Sequence, residues 1–475
     1  MSRAFGKGLV RAMVLAGGIA MGAVGAGPRA AQADNLADAL VGAYNTSGLL
    51  KQNRALLRAA DEDVARAVAA LRPVVTWTTQ VTRSFTDGVS RFGVSYNYDD
   101  SSFFTGLQLD ALLYDGGASR LRKQAAQETV LATRQSLLQV EQQVMLRAVA
   151  AYVNALIAEE NVRLRENNLR VLQEELKAAR DRFDVGEVTR TDVALAEARV
   201  ANAQSGLATA RGELASARAE YVNVVGHAPG KLSGQPPLPR IPASEKDAQS
   251  VAQRNHPQIQ AVQHQVKAAE LNVLSASKAY GPTANLRLSA GITEYSGTSF
   301  STDNAAASVV VQQPIFQGGA LAATHRRAMA QRDAARGNLL EVKDQVVQAV
   351  TDAYVRLNTA RASLKATEEQ VRASRVAFDG TREEAKLGAR TTLDVLIAEQ
   401  DLLDALTLRN QARGELSFAY YQVLFAQGLL TAEHLGLPVQ IYDPTLYYNM
   451  VKDAPARLSK RGKDLDRVLQ AIGKK

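Results

Sequence analysis

The sequence contains no cysteine. That absence excludes disulfides, thiol nucleophiles and thiolate metal sites, and with them a lipid carried on an N-terminal cysteine. Long apolar runs are missing too: beyond residue 27 none reaches the ~20 residues that a helical membrane span needs. Tilted β-strands remain open, because they satisfy their backbone by pairing rather than by continuous apolarity. An excess of one charge is absent where it would matter. The formal net charge is +8, but residues 1–33 hold four basic and no acidic residues, residues 431–475 hold eight against five, and residues 34–430 hold 44 against 43. Nucleic-acid surfaces need a clustered excess, so no nucleic-acid partner is expected. The basic tail 431–475 is expected to be solvated, the usual fate of a charge run. The five histidines (His227, His256, His264, His325, His434) are scattered, without an HExxH or a carboxylate at ligand spacing. No metal, no cofactor and no enzyme activity are expected.

The first 33 residues resemble an export leader. Arg3, Lys7 and Arg11 precede an apolar Met13–Gly27 stretch, Pro28 breaks it, and Ala31-Gln-Ala33 forms a cleavage site before Asp34.

What is present is a duplication. Leu113-Tyr-Asp-Gly-Gly117 recurs as Ile315-Phe-Gln-Gly-Gly319, Ala151-Tyr-Val153 as Ala353-Tyr-Val355, Asp192-Val193 as Asp394-Val395, and Arg211-Gly-Glu-Leu214 as Arg413-Gly-Glu-Leu416. The offset is 202 in every pair. Loops tolerate insertions, whereas an extra residue in a continuous helix rotates everything beyond it. The constant offset therefore predicts two length-constrained helical hairpins. Upstream, Pro73 aligns with Pro282 at an offset of 209, which confines a seven-residue difference to the interval between Pro73 and Leu113. That interval includes Ser84–Ser102, read as a variable loop.

Each half reads helix, strand, loop, strand, long helix, turn, long helix. Single helices are expected over Asn35–Leu71 and Asp247–Tyr280, each stopped by proline. Four segments alternate with period two: Val75–Val81, Leu107–Leu113, Leu286–Ile292 and, less cleanly, Val309–Ile315. Each approaches the ~9–11 residues that cross a bilayer as a tilted strand, and alternation alone fits a half-buried soluble sheet equally well. The leader and the helices favour the membrane. Ala118–Phe183 has no proline, would reach roughly 100 Å, and carries a small-residue stripe through Val140, Val144, Ala148, Ala151 and Ala155. Four strands cannot close a membrane barrel, so the chain would have to share one with other copies: eight strands in a dimer, twelve in a trimer. The Gly-Gly junctions lack a Walker lysine and serve the strand-to-helix bend. The expected divisions are residues 34–230, a Pro-rich linker 231–246, residues 247–430 and the tail 431–475.

This combination resembles the TolC family of outer-membrane efflux and secretion ducts. Arg182-Phe-Asp-Val-Gly186 through Thr191-Asp-Val193, and Gly388-Ala-Arg-Thr391 through Leu393-Asp-Val395, match that family's helix-turn-helix tips. Leu437–Pro444 is similar to members that serve type I secretion. The resemblance implies an α+β membrane fold: a homotrimeric 12-stranded β-barrel in outer-membrane lipid, four strands per chain, continued by a periplasmic α-helical barrel. It implies an exit duct working with a periplasmic adaptor (membrane fusion protein) and an inner-membrane ABC or proton-driven transporter. A secreted structural coiled-coil protein of the envelope would explain the helices but not the duplicated strands. A soluble adaptor would need a lipoyl-like β domain, which is not found.

The resemblance also places a gate at the tips. It puts Asp394 on the bore, where symmetry would gather three carboxylates that a multivalent cation would relieve. The family's second acidic position falls on Ile397, implying a weaker filter beside an apolar ring. Arg390 and Asp192 match positions that tie neighbouring tips closed, and the usual tyrosine partner is replaced by Ala385, implying a looser latch. On residue chemistry alone, each of these charges also fits a helix cap or a solvated surface charge.

Overall fold

The structure is a computed structural model that describes residues 34–296 and 301–473. The leader and its cleavage residue Ala33 lie outside the described residues, which begin at Asp34. The first half runs α1 (Leu36–Thr46), α2 (Gly48–Ala69), β1 (Val74–Val89), β2 (Ser95–Tyr114), α3 (Ala118–Asp184) and α4 (Arg190–Val225). The second repeats it as α5 (Glu245–Asn255), α6 (Pro257–Lys278), β3 (Thr283–Tyr295), β4 (Ser301–Gln312), α7 (Ala320–Lys386) and α8 (Thr392–Ala426), and the tail adds α9 (Pro444–Val451) and α10 (Lys460–Gly473). Helices α3 and α7 have 67 residues each, about 100 Å. They start and stop at positions 202 apart, as the constant offset requires.

The expected single helices Asn35–Leu71 and Asp247–Tyr280 are each two. Ser47 ends α1 and caps α2 by accepting from Leu50 N. His256 does the same for α6, where Pro257 cannot donate to a continuing helix. These breaks lie 209 apart, the offset of that region. The Ser84–Ser102 interval is also not a loop: most of it extends β1 and β2, with a turn at Ser90–Val94. Arg83 and Asp99 pair across this extension at 2.8 Å. In the second half β4 ends at Gln312, because Pro314 stands where Leu112 continues β2.

The strands form one antiparallel sheet in the order β1-β2-β3-β4. Register and alternation combine to give it two unlike faces. Trp77 pairs with Leu107, which pairs with Ala290, which pairs with Ala305; Val75, Leu109, Leu288 and Ala307 form the next row. The opposite face carries Thr76, Thr78, Gln108, Ser289 and Ser308. The rows stay apolar from Val311 and Ala284 up to Trp77, Leu107, Ala290 and Ala305, about seven residues or ~17 Å on tilted strands; above them Val81 and Phe103 continue on β1 and β2, while β3 and β4 place Asp303, Glu294 and Ser301 on this face. Among the described residues both edges, β1 and β4, are unpaired.

The core lies where the helices of both halves meet midway along α3. Tyr44, Leu50, Leu57, Met145, Tyr152, Tyr221 and Leu424 pack together there. The duplicated tyrosines of Ala151-Tyr-Val153 and Ala353-Tyr-Val355 clamp the Pro-rich linker. Tyr152 donates to Gly234 O at 3.0 Å and Tyr354 to Pro242 O at 2.8 Å, with Tyr421 on Pro237 O at 2.9 Å. A proline-rich segment has carbonyls to spare and few N–H groups, so phenol donors suit it.

The tail is not simply solvated. The Arg54 guanidinium sits 5.0 Å from the Tyr44 ring and 5.1 Å from the Tyr442 ring. Tyr447 donates to Glu62 at 2.6 Å, and Tyr448 accepts from Gln127 at 3.1 Å. Aromatic residues override the charge pattern here, because each ring buries apolar area and keeps a polar end satisfied.

Asp61 lies beneath this contact, fully buried, with neither carboxylate oxygen hydrogen-bonded. Desolvation raises its pKa from 3.8 to about 6. A carboxyl raised on folding favours the native state fully below its unfolded pKa and loses that contribution as pH rises through about 6. Asp61→Asn is therefore expected to melt above the parent at pH 7.5, by ~2 °C or more, and to match it near pH 4. A gap of equal size at both pH values in a thermal melt would contradict the assignment.

Candidate functional site: the paired helical tips

The two tips are built by the same residues 202 apart. Helix α3 ends as Gly186 turns left-handed at φ +82°, and α7 as Gly388 does so at φ +76°. A side chain would meet nothing at either position, so backbone conformation alone calls for glycine. Glu187 N then donates to Arg182 O at 2.9 Å and Ala389 N to Glu384 O at 2.9 Å, closing the ends of the helices.

The outgoing helices start with capping boxes. Thr189 Oγ1 accepts from Asp192 N at 3.3 Å, while Asp192 Oδ2 accepts from Thr189 N at 2.9 Å. Thr391 and Asp394 repeat this at 3.2 and 3.0 Å. Each threonine hydroxyl also donates to its aspartate. The hydrogen bonds hold Asp192 and Asp394 below the usual carboxylate range, led by the Thr189 side chain in one case and the Thr391 backbone in the other. Both aspartates are thus helix caps, the plainer of the two readings their chemistry allowed, and in each Oδ1 is left outside the box.

Arg390 lies on its own hairpin, where its Nε donates to Glu384 at 3.0 Å. Among the described residues no hydrogen bond joins it to Asp192. Ala385 is buried against Phe378 and Val395, so that position points into its hairpin. Ile397 is exposed.

The hairpins are joined along α3. Buried Asn168 donates to buried Glu399 of α8, and Arg382 of α7 reaches Glu175 at 3.0 Å. Desolvation pushes the Glu399 carboxyl up despite that bond. Leu396 of α8 packs among Leu172, Ala179, Ala196 and Val200 of the first hairpin. Sequence reasoning missed these ties, since a lone Asn and Glu 231 residues apart leave no local signature.

It also missed a stripe. From Asp394 the positions Ile397, Asp401, Asp404 and Leu408 follow at three-four spacing on α8, and all but the partly covered Asp394 are exposed. Heptad spacing keeps such residues on one face. The counterparts at the 202 offset on α4 are Leu195, Arg199, Asn202 and Gly206, so the acidic stripe belongs to the second tip alone.

Comparisons with known proteins agree with this architecture. The chain matches the family described as Outer membrane efflux protein twice, over residues 43–227 and 249–428. It is similar to the outer membrane efflux protein BepC of Brucella suis, 38% identical over 449 residues that cover 94% of this chain and 96% of that protein. It is also similar to the alkaline protease secretion protein AprF of Pseudomonas aeruginosa, 28% identical over 385 residues, 78% of this chain and 79% of that one. The CmeC outer membrane channel of Campylobacter jejuni shares the fold at a TM-score of 0.73 with 16% identity, covering 89% of this chain and 90% of that one.

Thr391→Ala and Thr189→Ala each remove an N-cap at a tip, a change that typically costs ~1 kcal/mol. Amide exchange within the first turns of α8 or α4 is expected to quicken about fivefold accordingly, with the middle of α3 unaffected. Unchanged exchange at the mutated tip would contradict the capping role.

Proposed function

The chain belongs to the outer membrane efflux protein family, and from that premise we propose how this outer-membrane exit duct is assembled and gated. The observation that carries the proposal is the sheet. One face carries a continuous apolar band across all four strands, bounded by Asp303 and Glu294, and both edges are unpaired among the described residues. An unpaired edge in hydrocarbon costs several kcal/mol per group. Three copies joined β4 to β1 give twelve strands with no edge, the apolar face outward and the polar face lining a wet bore. The long helices would then form a continuous wall about 100 Å deep, and all the tips would lie in one plane.

Cargo passes along this bore passively, so energy comes from an inner-membrane transporter, ABC or proton-driven, through an adaptor that docks at the tips. Both efflux and protein secretion fit, as the names of the relatives do. Adaptor docking would compete with the bonds that hold the second hairpin to the first, Asn168–Glu399 and Glu175–Arg382, and would let it swing outward.

Under threefold symmetry the α8 stripe becomes stacked rings: Asp394, then the apolar Ile397, then Asp401 and Asp404. The free Oδ1 of Asp394 and of Asp192, and the Arg390 guanidinium nitrogens that Glu384 leaves unused, are available to a neighbouring tip. At this third position of the capping box an asparagine oxygen can still accept from the N-cap N–H while the charge is removed, which separates the two roles. In planar bilayers, block by a trivalent cation is expected to weaken about tenfold in Asp394→Asn combined with Asp401→Asn. Undiminished block would remove both from the filter. Arg390→Ala with Asp192→Asn should raise single-channel conductance, and unchanged conductance would count against the latch.

A further inference from the structure

Helix α4 packs on α3, α3 on α8 and α8 on α7, so α4 and α7 are the outer helices of the chain's wall. The inner seam, α8 on α3, is close. Buried Gly414 of α8 lies under Val153 and Ile157 of α3: a Cβ there would collide with Ile157 and come within 3.1 Å of Val153 Cγ1. Nearby, Asn410 donates to Ile157 O at 3.0 Å and to Asn161 at 2.7 Å. The missing side chain at position 414 makes a notch that the α3 side chains fill, as knobs fill a hole.

Both faces of this seam recur 202 residues away, and there they are bare. On α8 Leu403, Asn410 and Gly414 are buried, whereas their counterparts on α4, Ala201, Ala208 and Gly212, are all exposed. A Cβ at Gly212 would meet nothing. On the other face Val153 of α3 is 3% exposed and its counterpart Val355 of α7 is 57% exposed. Asn168 of α3 is buried, and its counterpart Gln370 of α7 is exposed. The chain thus carries a notched face on one outer helix and the matching face on the other. The two cannot meet within one chain, because α3 and α8 stand between them. A second copy, rotated about the axis of the duct, brings them together.

We propose that α7 of one copy seats on α4 of the next in the register that α3 and α8 hold within a chain, which rests on the reading that the copies share one barrel. Val355 and Thr359 of one copy enter the notch at Gly212 of the next. The observed seam selects this occupant, since each bare face has a repeat whose partner is already in place. The two seams are not identical. Glu399, tied to Asn168 in the inner seam, corresponds to Glu197, which holds Arg180 of its own hairpin at 2.6 Å. Glu175, which meets Arg382, corresponds to Ala377. The seam between copies therefore lacks the buried polar ties of the inner one and depends on close packing at Gly212. Toward the tips the next copy contributes Glu197 opposite Gln370, so the candidate gate is complete only in the assembly.

The cysteine-free chain makes the test direct. Gly212→Cys and Val355→Cys are placed together in the full chain, in outer membranes, and oxidised. Covalent dimers and trimers are expected, because α4 and α7 of one chain cannot reach each other. Ala201→Cys with Val355→Cys stands about three turns off register, ~16 Å, and should crosslink about tenfold more slowly. Equal rates would overturn the register. No crosslink between positions 212 and 355, in a parent that runs as a trimer in mild detergent, would overturn the seam. A monomeric parent would mean that the shared barrel itself has failed, and the seam with it. In the cysteine-free parent, Gly212→Leu should lower the temperature at which the assembled copies separate, whereas Glu213→Leu, around the side of the same helix, should not. Equal separation temperatures for the two variants would likewise overturn the proposal.

Discussion

Everything in this molecule depends on backbone groups that cannot be left unpaired in lipid. One chain supplies four strands and two bare edges. Water would satisfy those edges, and hydrocarbon cannot. The chain is thus incomplete by itself, and only rotation about an axis completes it without leaving a new edge. Once the strands lie on a ring, the helices that leave them must lie on a ring too. A ring of helices closes at a common plane only if they are equally long. The equality of α3 and α7, 67 residues in each, is the mark of that requirement in the chain.

The same requirement explains which parts of the fold could be read from the sequence. Repeated local signals were legible: the Gly-Gly junctions, the alternating strands, the proline stops and the constant spacing. Composition misled where geometry decides. Ser84–Ser102 is rich in turn-forming residues, yet pairs as strand from Ser84↔Asp100 to Val89↔Ser95 on a ribbon that rises beyond the apolar rows. The tail reads as solvated charge, yet Tyr442, Tyr447 and Tyr448 bind it to α2 and α3. Ser47 looks like an ordinary helix residue, and the break it causes emerges only from its capping bond; at His256 the following Pro257 was a signal in the sequence that the apolar periodicity masked.

At the tips, the motif that carried the resemblance is structural. Thr189 with Asp192 and Thr391 with Asp394 are matched pairs that start two helices in the same way. A residue that must cap a helix in both repeats is constrained whether or not it faces a bore. Its presence in both halves therefore says little about gating.

Divergence between the halves is the better guide. The first tip has Leu195, Arg199 and Asn202 where the second has Ile397, Asp401 and Asp404. No local bond requires that difference: both sets follow the same cap on the same outgoing helix. Part of it answers to the chain itself, since Arg199 lies close enough to buried Glu399 to favour its charged form; Ile397 and Asp401 are left facing outward. Helix α8 is also the one whose Glu399 and Leu396 are held by the first hairpin, so it is attached on one side and bare on the other. A helix attached by a few buried contacts and lined with like charges on its free side is set to move when those contacts are challenged. In the proposed gate, repulsion between symmetry-related carboxylates would grow as the ring narrows, so closure of the bore would store the tendency to open. The buried bond between Asn168 and Glu399 opposes it from within each subunit.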